Sequence, residues 1–197
     1  CTLATGNLLV RKGDYRAARE MLSVLSVGDH AEYEAIIHLA LGWCAIHLAD
    51  AADALRRFTE AERLFQILGR TLPTVRAAYG IGSALLRLGR LDDAIVQLQA
   101  VRTKFLMENL IEEAGLSGLE IVEAQLLLNR NTAAAPLAAT LVQEFTQAGL
   151  NRRAVAALAY LNEAIAASSA TPDIVRSVHS YIFALRYDPT REFAAIN

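Results

Sequence analysis

Small residues that return at long, regular intervals constrain this chain more than any other feature of its sequence. Gly6, Gly42 and Gly82 occupy equivalent places in successive segments, and Val122 takes the same place in the next. The neighbours of these positions recur with them. Ala18, Leu22 and Leu25 overlay on Ala94, Leu98 and Val101. Leu41-Gly42, Ala54 and Phe58 overlay on Ile81-Gly82, Ala94 and Leu98, and a weaker copy follows through Ile121-Val122, Ala134, Ala138 and Leu141. A period of roughly 40 residues marks stacked units, each too small to bury its apolar face alone.

Within the period, apolar residues recur at steps of three and four from one end of the chain to the other, which is helical spacing. Alanine and leucine supply about a third of the residues, the composition of packed helices. The pattern breaks at Lys12-Gly13-Asp14, Val27-Gly28-Asp29, Ala49-Asp50, Leu68-Gly69-Arg70, Gly89-Arg90, Asn129-Arg130-Asn131, Gly149-Leu150-Asn151 and Thr171-Pro172-Asp173, with a further break near Glu108-Asn109. Gly and Asn suit the left-handed residue that follows a helix, and Thr171 before Pro172 reads as an N-cap with proline at the first helical position. About ten helices are expected. With 54 % hydrophobic and 20 % charged residues, disorder is excluded. No apolar run reaches the length of a membrane span.

The residues from Ala78 to Leu85, followed by Gly89-Arg90-Leu91-Asp92-Asp93-Ala94-Ile95, resemble a tetratricopeptide repeat. Ile81-Gly82 and Ala94 match that family's pattern, while Ala78, Leu85 and Leu98 stand where it has aromatics. The preceding repeat has Leu41-Gly42, Ala54, Phe58 and Ala61, with His38 at an aromatic position. The repeat-ending proline is missing from both. Together with the long spacing, this resembles the longer-helix bacterial variety. The resemblance implies an all-α fold, a right-handed superhelix of about five antiparallel helix pairs. Residues 1–148 would be the repeats, and residues 149–197 a helical pair capping the solenoid and continuous with it. The chain opens with Cys1, inside what would be its first helix, so it is read as part of a larger bacterial protein. A cytoplasmic location is expected, with a processed lipoprotein beginning at Cys1 as the alternative.

Catalytic and cofactor chemistry find little support in the sequence. Cys44 and His47 share a helix face, but His38 lies about 180° to 240° away from them on the wheel, so no metal site is expected. Gly80-Ile81-Gly82-Ser83 lacks the preceding strand and third glycine of a dinucleotide fingerprint and reads as close helix packing. Asp92-Asp93 and Glu112-Glu113 sit near helix starts, where carboxylates complement the dipole. The expectation is a non-catalytic protein without cofactors. Net charge is −2, and Arg56-Arg57 and Arg152-Arg153 are short pairs interleaved with acids, so no nucleic acid is expected.

What the resemblance does imply is a groove. In the family the first helix of each pair lines the concave surface. Carried onto this chain, the lining positions are Leu3, Asn7, Val10 and Arg11, then Ile36, Leu39, Trp43, Ile46 and His47. The third repeat contributes Arg76, Tyr79, Ser83, Leu86 and Arg87, and the fourth Leu116, Leu119, Glu123 and Leu126. Trp43 is the single tryptophan, and Trp, Tyr and Arg dominate binding hot spots. Arg76 and Arg87 suit a carboxylate. The expected partner is a protein or peptide held by Asn7, Arg11, Trp43, His47, Arg76, Tyr79, Ser83, Arg87 and Glu123. The competing expectation is a face so apolar that it packs on itself. Two other functions stay open: a small-ligand sensor with a pocket walled by Trp43 and Tyr79, and a structural module that forms a homodimer through one end. At that end a helix beginning at Pro172 carries Ile174, Val175, Val178, Ile182 and Leu185, with Tyr181, Phe183 and Tyr187, and reads as a cap.

Overall fold

The computed structural model describes residues 2–25 and 30–194. Cys1 and the Val27-Gly28-Asp29 break therefore lie outside the described residues. Ten helices occupy the rest: α1 (Thr2–Lys12), α2 (Tyr15–Ser23), α3 (Ala31–His47), α4 (Ala51–Ile67), α5 (Thr71–Arg87), α6 (Leu91–Met107), α7 (Ile111–Leu127), α8 (Asn131–Gln147), α9 (Arg152–Ala166) and α10 (Pro172–Leu185). The fold is all-α among the described residues. From α3 to α8 all the helices have the same length, and they start at even intervals, at Ala31, Ala51, Thr71, Leu91, Ile111 and Asn131. Two such helices with their two short turns make up one period of the sequence repeat.

Turn chemistry sets these boundaries. Gly13, Gly69, Gly89 and Gly149 take positive φ, and so do Ala49, Asn109, Asn129 and Ser168, with φ between 56° and 60°. After α3 the Ala49 N–H donates to the Ile46 carbonyl at 3.2 Å and the Asp50 N–H to the Ala45 carbonyl at 2.9 Å. That pair of bonds satisfies the last carbonyls of the helix and reverses the chain. Caps begin the next helices: Asp14 accepts from the Ala17 N–H, Asp50 from the Asp53 N–H, and Thr171 from the Ile174 N–H. Asn109 confirms the break near Glu108-Asn109.

The chain divides into two compact units, Cys1–Gln97 and Leu98–Asn197, with the boundary inside α6. In the first unit α3, α4 and α5 reverse direction from one to the next. Ala35 of α3 clusters with Leu64 and Phe65 of α4, while Ala45 clusters with Ala54 and Phe58, so the two helices run antiparallel. Phe58 is fully buried and lies against a glycine on each side. A Cβ on Gly42 of α3 would fall 2.5 Å from its ring, and one on Gly80 of α5 would come closer still. Gly80 therefore belongs to close helix packing.

The second unit uses the same device. A Cβ on Gly115 of α7 would collide with the Phe145 ring of α8, and one on Gly118 would meet Leu141 at 2.7 Å. Arg102 of α6 is buried and forks onto both carboxylate oxygens of Glu144 in α8 at 2.7 Å. Helix α9 packs on α8, and α10 packs on both α9 and α7. Residues 191–193 fold back over α9 and α10: Tyr181 Oη donates to the Arg191 carbonyl at 2.8 Å, and Phe193 lies against the rings of Tyr160 and Tyr181.

Two substitutions test these contacts by chemical denaturation. Gly80→Ala should cost about 2–3 kcal/mol, because the Phe58 ring has no free side to move toward. Ala49→Gly should stabilise by about 1 kcal/mol, since it removes the Cβ from a left-handed position.

Candidate functional site

On α1, α3 and α5 the positions assigned to a groove separate into two sets. The apolar ones turn toward the core. Leu3 and Val10 pack on the cluster of Leu22, Ile37, Ala40 and Leu41, while Ile36 and Leu39 pack on that of Ala35, Leu64, Phe65 and Ala77. Ile46 packs beside Ala45 and Phe58. Leu86 is buried, and Ser83 is only 1 % exposed, so Ser83 is placed inside rather than presented to a partner.

The remaining set stays at the surface. Arg11, His47, Arg76 and Arg87 are exposed, and Asn7, Trp43 and Tyr79 are half-buried. Trp43 stands edge-on to Phe58, ring centroids 5.0 Å apart, and meets Tyr79 at 5.6 Å. Tyr15 of α2 stacks on His47 at 3.9 Å and 6°. Neither α1 nor α5 contains Asp or Glu, and Arg11, Lys12 and Arg87 fall in their last turns. Those cations complement the negative helix ends. The two acids in the first turn of α3 are Glu32 and Glu34, and Glu32 is paired with Arg70 at 2.8 Å. Trp43 also packs on the cluster of Ala45, Ala54, Phe58 and Ala84, so the exposed members of the set are Arg11, His47, Arg76 and Arg87.

The fourth set of positions is placed differently. On α7, Leu116, Leu119, Glu123 and Leu126 are all buried, Glu123 to 2 % exposure. Helix α10 covers them. Arg176 Nη1 donates to Glu123 Oε1 at 2.8 Å, His179 Nε2 lies 4.0 Å from Glu120 Oε1, and Arg186 pairs with Glu112 and, at 3.6 Å, with Glu113. Glu123 is thus an internal anion held by the chain's own arginine. Sequence reading missed Arg176, His179 and Arg186. Their signal was present: cations at steps of three and seven, matching the acids of α7 taken in the reverse direction.

Three side chains of α3 carry altered ionisation. Burial lowers His38 below the ordinary histidine range, helped by the Arg57 charge, and its Nδ1 is buried without a hydrogen-bond partner. His47 is also lowered, first by the cover on its ring and then by the charge of Arg87. Burial pushes the Cys44 thiol up to about 11, which leaves it a small apolar group. Among the described residues, no three His, Cys, Asp or Glu side chains converge as a metal would require, and no helix is long and apolar enough to cross a membrane.

Comparison with known proteins agrees with this architecture. The family model described as tetratricopeptide repeat matches residues 46–103, the stretch from the end of α3 into α6. No curated protein matches the chain in sequence. In three dimensions it is similar to the crystal structure of aspartyl phosphate phosphatase F from Bacillus subtilis, with a TM-score of 0.64 and 12 % identity. The match covers 93 % of this chain and 51 % of that one, so this chain spans about half its length. At that identity the likeness is one of fold.

The histidines set the pH dependence of stability. Both folded values lie below the unfolded 6.5, so the unfolded chain binds more protons as pH falls. The contribution of these two histidines to stability should be fully present above 6.5, decline as pH drops through that value, and level off below their folded values. In thermal melts across this range, a His38→Gln/His47→Gln variant should lose part of the decline. An unchanged slope would exclude these two groups as its source.

Proposed function

We propose that this chain is a non-catalytic interaction module that binds an acidic protein segment on the α1, α3 and α5 surface of its first unit. The observation that carries this reading is the exposed Arg11, Arg76 and Arg87 on two helices that contain no carboxylate, together with the half-buried Trp43 and Tyr79 in contact with each other. Aromatic rings supply apolar contact at low entropic cost, and arginine supplies charge-assisted, two-pronged hydrogen bonds to carboxylates. The match of residues 46–103 to a tetratricopeptide repeat supports a binding role, because stacked helical pairs build extended recognition surfaces. The phosphatase named in the structural comparison lends its architecture only, since chemistry resides in individual sites.

Affinity capture from lysate of the source organism, read by mass spectrometry, tests the assignment. An Arg76→Glu/Arg87→Glu variant should keep its helix content, because both residues are exposed, and lose the partner that the native chain retains. The native interaction should also weaken at least tenfold between 50 and 500 mM salt, roughly the range over which charge steering is screened. Retention of the same partner by both chains would place binding elsewhere.

A further inference from the structure

Helix α7 carries Glu112, Glu113, Glu120 and Glu123 and no basic residue. Against it, α10 places Arg186, His179 and Arg176 in the matching antiparallel order. Beside these cations α10 buries an apolar stripe of Val175, Val178, Ile182 and Leu185. Glu120 and Glu123 are 4 % and 2 % exposed; α10 sets Arg176 on Glu123 at 2.8 Å and the imidazole of His179, a cation when protonated, 4.0 Å from Glu120. Burying an ion pair gains little net free energy, because lost hydration offsets the attraction. The charges therefore fix which helix sits here and in which direction, while the apolar stripe holds it. The seam is also incompletely filled. A cavity of about 60 Å³ lies among Phe145, Ala154, Ile182 and Leu185, with Glu112 and Arg186 at its edge. The link from α9 to α10 is the short run Ala167-Ser168-Ser169-Ala170-Thr171, in which Ser168 holds a φ of 56°, a conformation that costs a residue with a Cβ.

We propose that the α7 face is a binding site for a cationic amphipathic helix, that α10 is its occupant within the chain, and that a partner helix of the same chemistry exchanges with α10. The partner is defined by an apolar stripe flanked by Arg or His at steps of three and seven. Charge complementarity selects it, since an acidic helix would meet four carboxylates. The short tether gives α10 an effective concentration of about millimolar, so the intact chain shows such a partner only a weakened site.

The probe is a fluorescein-labelled synthetic peptide of residues 171–194, followed by anisotropy against the full chain. In a chain carrying Arg176→Glu and Arg186→Glu, the resident helix is repelled by Glu123 and Glu112. That chain should bind the native peptide at least tenfold more tightly than the unaltered chain does. A peptide with the same two glutamates should fail to bind it, yet bind a chain carrying Glu112→Arg and Glu123→Arg. Equal binding of the native peptide by altered and unaltered chains, or binding indifferent to charge, would overturn the proposal. So would a released chain that pairs into dimers and excludes the peptide, because the occupant would then be a second copy. Should the substituted chain not fold, hydrogen exchange on the unaltered chain decides. The α10 amides should exchange together at least tenfold faster than those of α7 and α8, and equal protection would make α10 a permanent part of the core. None of these readouts involves Arg76 or Arg87, so they stand or fall separately from the surface of the first unit.

Discussion

A phenylalanine ring held between two glycines organises the first unit. Phe58 is fully buried, with Gly42 on one side and Gly80 on the other. The absent side chains let three helices approach one ring, and burying that ring contributes about 2–3 kcal/mol. The exposed chemistry grows from this contact. Trp43 rests on the edge of Phe58, and Tyr79 rests against Trp43. The surface aromatics are therefore positioned by the core and not by solvent-facing rotamers. In the second unit, Phe145 against Gly115 plays the same part between α7 and α8.

Single helices of the two units carry charge of opposite sign on the same hairpin architecture. Helices α1 and α5 are free of carboxylates and end in basic residues, whereas α7 has four carboxylates and no cation. Helix–helix packing uses the small and apolar positions, which leaves the remaining face of each helix available for charge of either sign. Where the charge is positive, the arginines stay at the surface of their unit. Where it is negative, the chain supplies its own cationic helix. Ion pairs between α7 and α10 add orientation and register more than net stability.

Much of the fold was legible because its determinants are local. Gly13, Gly69, Gly89, Asn129 and Gly149 announced turns, and each adopts the left-handed conformation that those residue types tolerate. Ser168 takes the same conformation without that signature. It does so because the bonds from its own N–H and that of Ser169 to the Ile165 and Ala164 carbonyls offset the strain. The proposed binding surface was legible only in part. Leu3, Val10, Ile36, Leu39 and Ile46 occupy the boundary between two helix faces, and helical spacing alone does not say which way a boundary residue leans. Packing on neighbouring helices resolves it, and all five lean toward the core.

By itself, the sequence determined that this chain is helical, where its helices turn, and that they repeat in pairs at a long, regular period. Each of those follows from interactions within a few residues: apolar spacing, caps, and left-handed turn positions. Only the tertiary structure decided that the acidic face of α7 is covered. The partners there are Glu112 with Arg186 and Glu123 with Arg176, separated by 74 and 53 residues. No local rule links residues so far apart. Their pairing follows from the short turns that bring α10 back antiparallel to α7, where Arg176 offsets the cost of burying the Glu123 carboxylate.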